Sequence, residues 1–287
     1  MTEIDWSNSI AILGLAVITL VVEGWRHWRG VHVDWGSTVV WAIVFPAVAA
    51  VLALAVKPTA AWAQTLLALL LIVPMGPLLY RLVFRPLAHA SVLMLLIVSV
   101  ALHWVMVGLG LYFFGAEGAR TASMWDARWN VGGLPVSGQS LVVIGAAVVL
   151  LGAMYVFFER SITGKALRAT AINRVGARLM GIPTDLSGDI CFALAALIGA
   201  VCGLLIAPIT TIYYDTGFLI GLKGFVAAIV GALASYPAAA LGAIFVGLIE
   251  SFGSFYASAF KEVIVFTLII PVLLWRSFQH GHHDEEE

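Results

Sequence analysis

The chain has few charged residues for its length. Only 11% of its 287 residues are Asp, Glu, Lys or Arg, while 62% are hydrophobic, and the mean hydropathy is +1.02. This composition excludes an ordinary soluble globular domain and indicates a chain that dissolves in lipid. The net charge is −1, and the basic residues lie beside apolar runs rather than in a patch with interleaved aromatic residues. The sequence therefore argues against nucleic acid as a partner.

Cysteine is also scarce. The two cysteines, Cys191 and Cys202, fall in one apolar run. If that run is a helix, which rises about 1.5 Å per residue, they lie about 16 Å apart along its axis. That separation is too large for a disulfide, so none is expected between them.

Common signatures of catalytic and nucleotide-binding sites are missing as well. The Gly164-Lys165 pair is followed by Ala166 and lacks the earlier glycine of a phosphate-binding P-loop. There is no H-E-x-x-H zinc motif, and Ser137 has no convincing base nearby. A cluster of histidines lies in an acidic tail, where a solvated segment is favoured over a weak metal site: His280, His282 and His283. We expect a protein that is not an enzyme and needs no cofactor.

Long apolar runs dominate the sequence. About 17 to 25 apolar residues cross a bilayer core as a helix, and about eight or nine runs meet that criterion. Glu3 and Asp5 argue against a removable signal peptide, so the first run is expected to be a retained helix. The predicted fold is all-α, a polytopic transmembrane helix bundle forming a single domain over residues 1–287. The predicted spans cover residues 7–23, 36–56, 61–80, 91–114, 138–158, 189–209, 218–235, 236–252 and 262–278.

The cations between the spans are concentrated in alternate loops. The first of these loops holds Arg26 and Arg29, the second holds Arg81 and Arg85, and the polar segment 159–188 holds five more Lys and Arg residues. Cytoplasmic loops carry an excess of Lys and Arg, so these three loops are predicted to face the cytoplasm. The opposite loops carry Lys57, and Arg120 and Arg128 offset by Glu117 and Asp126.

Small residues recur every four positions over residues 189–252. Helices in lipid associate where small residues let their backbones approach, so this stretch is predicted to form a closely packed centre. Each stripe alone also fits ordinary packing within one subunit. Pro237 predicts either a helix broken at membrane depth or, as we favour, a tight turn near the inner face. The stripes are Ala195, Gly199 and Gly203; Gly224, Ala228 and Ala232; Ala227, Gly231 and Ser235; and Ala239, Ala243 and Gly247.

Few ionisable residues interrupt the apolar runs, and they form no visible proton relay. His103, beside Trp104, is typical of a satisfied polar residue at a helix interface. Glu250 is expected to cap its helix or pair with a cation, with a functional role as the alternative. The others lie nearer the ends of their spans: Glu23, Asp189 and Lys223.

The polar segment 159–188 is predicted to form two short helical pieces. Asn173 and Gly176 weaken its middle, while Gly181 and Pro183 end any helix there. The segment mixes apolar and cationic residues, as transient protein contacts commonly do. The residues alone leave two interpretations open: a positive-inside anchor with no partner, or a docking surface for a soluble protein.

Several stretches of the chain resemble the branched-chain amino acid ABC transporter permeases. The strongest is Thr163-Gly164-Lys165-Ala166-Leu167-Arg168-Ala169 with Asn173, Ala177 and Leu179-Met180-Gly181-Ile182, which is similar to the cytoplasmic loop of that family. Others are Tyr80-Arg81-Leu82-Val83-Phe84-Arg85-Pro86-Leu87, Leu222-Lys223-Gly224-Phe225-Val226-Ala227-Ala228-Ile229-Val230-Gly231 and Gly247-Leu248-Ile249-Glu250-Ser251. The chain departs from the family at Gly231-Ala232, where paired glycines are usual, and at Val33-Asp34-Trp35-Gly36, where an Asn-Phe-Ala-His-Gly element is expected.

The resemblance implies that the polar segment docks on an ATPase subunit. The residues it assigns to that coupling loop are Gly164, Lys165, Arg168, Asn173, Ala177, Arg178 and Gly181. The helix-packing and translocation core is expected to include Gly199, Gly203, Gly231, Pro237, Gly247 and Glu250.

The implied function is that of a permease subunit of an ABC importer in the bacterial inner membrane. Its solute would be a branched-chain amino acid or a related small polar molecule such as an amide. The implied partners are a second permease subunit, two cytoplasmic ATP-binding subunits and an extracytoplasmic solute-binding protein, with membrane lipid around the spans. Two alternatives stay open: an ATP-independent secondary transporter or channel, and a membrane scaffold that transports nothing.

Overall fold

The fold is mostly helical, as the apolar runs predict. The computed structural model describes residues 6–29, 35–48, 61–88, 90–230, 236–268, 270–272 and 274. Its helices are α1 Trp6–Trp28, α2 Trp35–Val39, α3 Ala61–Ile72, α4 Met75–Leu79, α5 Val92–Phe114, α6 Gly138–Arg160, α7 Ile162–Ile172, α8 Arg174–Leu179, α9 Thr184–Ile206, α10 Thr216–Val230, α11 Tyr236–Tyr256 and α12 Lys261–Thr267. The π-helical turn Val40–Val44 continues α2. A second π-helical turn, Tyr80–Phe84, continues α4 and leads into the 3-10 turn Arg85–Leu87. Another 3-10 turn, Ser258–Phe260, precedes α12.

Several helices are long and apolar enough to cross a membrane. Within the described residues there are five such segments, Ala63–Leu87, Leu93–Phe114, Gly138–Arg160, Thr184–Ile206 and Pro237–Tyr256. Two shorter apolar helices, Trp35–Val48 and Thr216–Val230, overlap the described parts of the predicted spans 36–56 and 218–235. The prediction of a multi-pass helical membrane protein is therefore confirmed, while the predicted count of about eight or nine spans is not.

Local signals explain where α5 begins and ends. The Ser91 hydroxyl accepts a hydrogen bond from the Met94 N–H at 3.3 Å and so caps the first turn. Gly115 ends the helix with a φ of +74°, a conformation that residues with a side chain rarely adopt. The helix consequently matches the predicted span 91–114 to within a residue.

A β-hairpin precedes α6, and the all-α prediction did not anticipate it. Strands β1, Arg128–Val131, and β2, Leu134–Ser137, pair antiparallel, with Val131 opposite Leu134. The turn between them is Gly132-Gly133, with φ values of +61° and +87°. Two glycines at positive φ give the turn whose twist matches the hairpin. This dipeptide was the sequence signal for the hairpin.

The chain divides into two compact units. The first comprises Met1–Ile144 and Phe158–Tyr214, and the second comprises Gly145–Phe157 and Asp215–Glu287. In the first unit Ala16, Ala42 and Leu78 form a buried apolar cluster between α1, the turn after α2 and α4. The prediction of one transmembrane domain over residues 1–287 stays a prediction.

The second unit is centred on α10, α11 and α12. Its buried cluster comprises Val226, Ala227, Val246 and Val265, with one or more residues from each of these helices. Pro237 is the second described residue of α11. The predicted turn or helix break before it falls on residues 231–235, which lie outside the described residues, so both interpretations stay predictions.

The predicted closely packed centre over residues 189–252 falls in both units, since α9 belongs to the first and α10 and α11 belong to the second. A Cβ added at Gly199, Gly203 or Gly247 would meet no described atom within 4 Å. Gly231 lies outside the described residues. The described contacts within the chain show no close packing at these glycines, so close packing there stays a prediction.

Candidate functional site

The polar segment forms two short helices, as predicted. The Ser161 hydroxyl accepts the Gly164 N–H at 2.9 Å and caps α7. The Asn173 side chain accepts the Gly176 N–H at 2.8 Å and caps α8, so the residue expected to weaken one long helix instead separates two. Gly181, with a φ of +80°, lies just after α8.

One face of these helices is anchored to the rest of the first unit. Leu167 of α7 and Ala177 of α8 are buried. The Arg174 guanidinium donates to the Ala88 carbonyl oxygen at 2.7 Å, and that of Arg178 donates to the Thr184 hydroxyl at 3.0 Å. The segment is therefore attached both to the start of α9 and to the turn that follows α4.

The other face exposes large apolar side chains. Five of them, on a segment that also carries five cations, are between 71% and 88% exposed: Ile162, Ile172, Val175, Leu179 and Met180. We call these five residues the exposed apolar face. Large exposed apolar side chains among charged ones are typical of a protein interaction site. The sequence reasoning assigned the site to polar and small residues and did not include these five among them.

The predicted coupling-loop residues divide between the two faces. Lys165, Arg168, Asn173, Arg178 and Gly181 are exposed. The Arg168 guanidinium donates to the Glu159 carboxylate at 2.9 Å, in a pair whose side chains are both about half exposed. Gly164 and Ala177 are buried, so within the described structure they anchor the segment and do not form its outer surface.

A buried ion pair joins α9 to the π turn after α4. The Arg81 side chain is 2% exposed, and its Nε donates to Asp189 Oδ1 at 2.9 Å while Nη2 donates to Oδ2 of the same carboxylate. The guanidinium also donates to the hydroxyls of Thr38, at 2.5 Å, and of Ser37. The bidentate ion pair and the hydrogen bonds from the guanidinium to the two hydroxyls offset the free-energy cost of desolvating both charges.

A second cluster of charges lies beside the first. Glu23 of α1 is 1% exposed, and its Oε1 accepts from Arg85 at 3.3 Å and lies 3.6 Å from Arg26. Arg85 also donates to Asp185 of α9 at 3.2 Å. Among the described residues, Glu23 Oε2 has no hydrogen-bond partner. The two clusters tie α1, α2, the turns after α4, and α9 together next to the polar segment.

Close backbone approaches reinforce this junction. A Cβ added at Gly76 would overlap the Phe192 carbonyl group, and one added at Gly188 would overlap the Tyr80 ring. The Tyr80 and Phe192 ring centroids lie 5.2 Å apart. Glycine is required at both positions because α4 with its following turn packs directly on α9. Sequence analysis found neither glycine, since neither lies in one of the small-residue stripes.

In the second unit, Glu250 pairs with a cation, which is one of the two roles predicted for it. Lys223 Nζ of α10 lies 2.5 Å from Glu250 Oε1 of α11. Each residue was identified from the sequence as an ionisable group in an apolar run, but the partnership was not predicted.

Metal ligation finds no support in the described part of the chain. No group of three or more His, Cys, Asp or Glu residues there is arranged to hold a metal ion. The histidines of the acidic tail, His280, His282 and His283, lie outside the described residues.

The helices and the anchored polar segment define the class: a multi-pass membrane protein with an exposed apolar face on a short helical pair between long apolar helices. The comparisons with known proteins then give the family. The chain belongs to the family described as branched-chain amino acid transport system / permease component, whose model matches residues 8–273. No solved structure matches the chain.

Named relatives agree with that assignment. The high-affinity branched-chain amino acid transport system permease protein LivH of Escherichia coli (strain K12) is 30% identical over 204 residues, which are 68% of this chain and 65% of the relative. LivH of Salmonella typhimurium matches to the same extent. The corresponding permease protein BraD of Pseudomonas aeruginosa is 31% identical over 149 residues, 51% of this chain and 48% of the relative. The matched part thus spans less than two thirds of these curated relatives, which are named as transport permeases rather than enzymes.

Proposed function

We propose that this chain is a permease subunit of an ABC importer in the bacterial inner membrane. Its solute is a branched-chain amino acid or a related small polar molecule such as an amide. It works with a second permease subunit, two cytoplasmic ATP-binding subunits and an extracytoplasmic solute-binding protein. Family membership and the names of the relatives support this proposal.

The observation that carries the proposal is the exposed apolar face on an anchored segment. Leu179 and Met180 are each 83% exposed. Exposing apolar side chains of this size to water is unfavourable in free energy. A soluble subunit that covers the face removes that apolar surface from water. The cations around it, among them Lys165 and Arg178, then form the polar rim of the contact. In our proposal the ATP-binding subunit is the protein that covers it.

The anchoring contacts would transmit a displacement of α7 and α8 to the helices they contact. When the ATP-binding subunits close, they displace α7 and α8, which hold α9 through Arg178 and Thr184. The Arg81–Asp189 pair and the glycine contacts join α9 to α4 and its turn, so these elements move together. A rigid-body shift of this kind is the usual means by which a transporter alternates between outward-open and inward-open states.

Reconstitution in liposomes tests the function and separates it from both alternatives. The chain together with its second permease, the ATP-binding subunits and the solute-binding protein is expected to accumulate leucine only when ATP is supplied. The chain alone is expected to accumulate none. Uptake by the chain alone without nucleotide would establish the secondary transporter or channel, and full uptake by an assembly lacking this chain would establish the scaffold.

A further inference from the structure

The Lys223–Glu250 ion pair is the strongest polar feature of the second unit that the coupling proposal does not use. Lys223 lies near the middle of α10, Thr216–Val230, and Glu250 lies in the second half of α11, Tyr236–Tyr256. Both helices are otherwise strongly apolar. Charged residues in such helices are costly in lipid, so they face the protein interior or a water-filled cavity and mark functional sites.

The pair lies at the edge of a closed apolar cluster. One helical turn away on each helix, Val226 and Val246 are 0% and 4% exposed. The side chains of Lys223 and Glu250 are instead 22% and 29% exposed, so the packing around these two charged side chains is less complete. The pair therefore lies where the packing within the chain ends.

Open space adjoins each charged residue. Gly224 follows Lys223 in α10, and Gly247 precedes Glu250 by about one turn of α11. A Cβ added at either glycine would meet no described atom within 4 Å. At Gly253, beyond Glu250, an added Cβ would instead contact Ile264 and Lys261.

The chemistry of the two groups fits one class of solute. An ammonium has three N–H donors and a carboxylate has two acceptor oxygens, so a pair joined by one close contact keeps capacity for a further ligand. A zwitterionic amino acid carries a carboxylate for the lysine and an ammonium for the glutamate, only a few bonds apart. An uncharged amide carries neither charge.

We propose that Lys223 and Glu250 form a zwitterion-binding subsite on the solute path. Lys223 binds the α-carboxylate and Glu250 binds the α-ammonium of an amino acid, and the two side chains pair with each other when the subsite is empty. Both charges are then partnered in the empty and the loaded state, which avoids the large cost of an unpaired charge in an apolar surrounding. This inference rests on the proposed function and narrows its solute to amino acids over amides.

The test is leucine uptake by the complete importer in proteoliposomes, with ATP and the solute-binding protein present. Lys223→Gln and Glu250→Gln are each expected to lower the rate of leucine uptake at least about tenfold, because each variant removes the charge that binds one end of the zwitterion. The ATPase activity stimulated by the solute-binding protein is expected to stay within about twofold of wild type, since the contacts of α7 and α8 are unchanged. Lys261→Gln is the matched control in the same unit and is expected to leave uptake unchanged.

A charge exchange separates solute binding from a structural clamp between helices. The double variant Lys223→Glu/Glu250→Lys keeps an ion pair but would hold an L-amino acid with its two charged ends interchanged. We expect normal assembly with uptake that stays low. Uptake restored to within about twofold of wild type would show that the pair only clamps α10 to α11, and would overturn the inference.

The results distinguish this inference from the proposal beneath it. A wild-type importer that takes up no leucine overturns the proposed function and the inference with it. Wild-type uptake together with undiminished uptake by both Gln variants overturns the inference alone.

A second measurement keeps the native pair and so does not depend on the folding of the charge variants. Gly247→Cys is introduced into a Cys191→Ala/Cys202→Ala chain, and the complete importer is alkylated with a maleimide in nanodiscs. Leucine is expected to slow alkylation at least about threefold, while 4-methylpentanoate, which lacks the ammonium, is expected to have less effect. Equal rates with leucine, with 4-methylpentanoate and without either would contradict a subsite at this position.

Discussion

Replacing Leu179 with Glu is expected to weaken the binding of the ATP-binding subunit at least about tenfold, and to abolish most leucine uptake. Leu179 belongs to the exposed apolar face and is 83% exposed in the chain by itself. In the proposed complex the same side chain is covered, so the variant places a carboxylate in an apolar contact. Affinity is measured by titrating the ATP-binding subunit onto the permease assembly in nanodiscs.

Two controls make the result specific to the contact. Leu179→Met keeps an apolar side chain of similar volume, so its affinity is expected to stay within about threefold of wild type. The melting temperature of the Leu179→Glu chain without the ATP-binding subunit is expected to be nearly unchanged, because exposed positions contribute little to stability. Unchanged affinity of Leu179→Glu would remove this residue from the docking surface.

Replacing Asp189 with Asn is expected to destabilise the chain by about 3–5 kcal/mol, because it leaves the buried Arg81 cation without its counter-ion. The Arg81 side chain is 2% exposed, and both oxygens of Asp189 accept from it. The remaining hydroxyl partners, Thr38 and Ser37, are neutral and do not compensate the charge. We expect the melting temperature of the purified chain in detergent to fall by more than about 5 °C.

The matched control lies one helical turn away. Asp185 also pairs with an arginine, Arg85, at 3.2 Å, but its side chain is 52% exposed. Asp185→Asn is therefore expected to cost less than about 1 kcal/mol, because solvent screens the pair. The double variant Arg81→Met/Asp189→Leu removes both charges and is expected to be more stable than Asp189→Asn. Equal melting temperatures for Asp189→Asn and Asp185→Asn would contradict the structural role given to the buried pair.

The local features of the polar segment 159–188 were readable from the sequence. Asn173 and Gly176 predicted an interruption, and the structure has two helices with Asn173 capping the second. Gly181 predicted the end of a helix, and it adopts a positive φ just after α8. These signals depend only on neighbouring residues, which is why the order along the chain was enough to find them.

The long-range features were not readable in the same way. Arg81 and Asp189 lie 108 residues apart. Arg81 was identified from the sequence as a topology signal and Asp189 as an ionisable residue near the end of a span, and nothing in the sequence connected the two. The exposed apolar face was not assigned to the site because Asn173 divides its residues between two helices, so their spacing along the chain does not describe one helical face. Such pairings become visible only once the helices are placed in space.

Cysteine labelling at Val175 tests the central claim most directly, that α7 and α8 form a cytoplasmic docking surface. Val175 is 71% exposed on α8, so Val175→Cys in a Cys191→Ala/Cys202→Ala chain presents one accessible thiol on the exposed apolar face. The account predicts that a membrane-impermeant maleimide labels it in inside-out vesicles and not in intact cells, and that added ATP-binding subunits block the labelling. Labelling from the outside of intact cells, or labelling unaffected by bound ATP-binding subunits, would contradict the account.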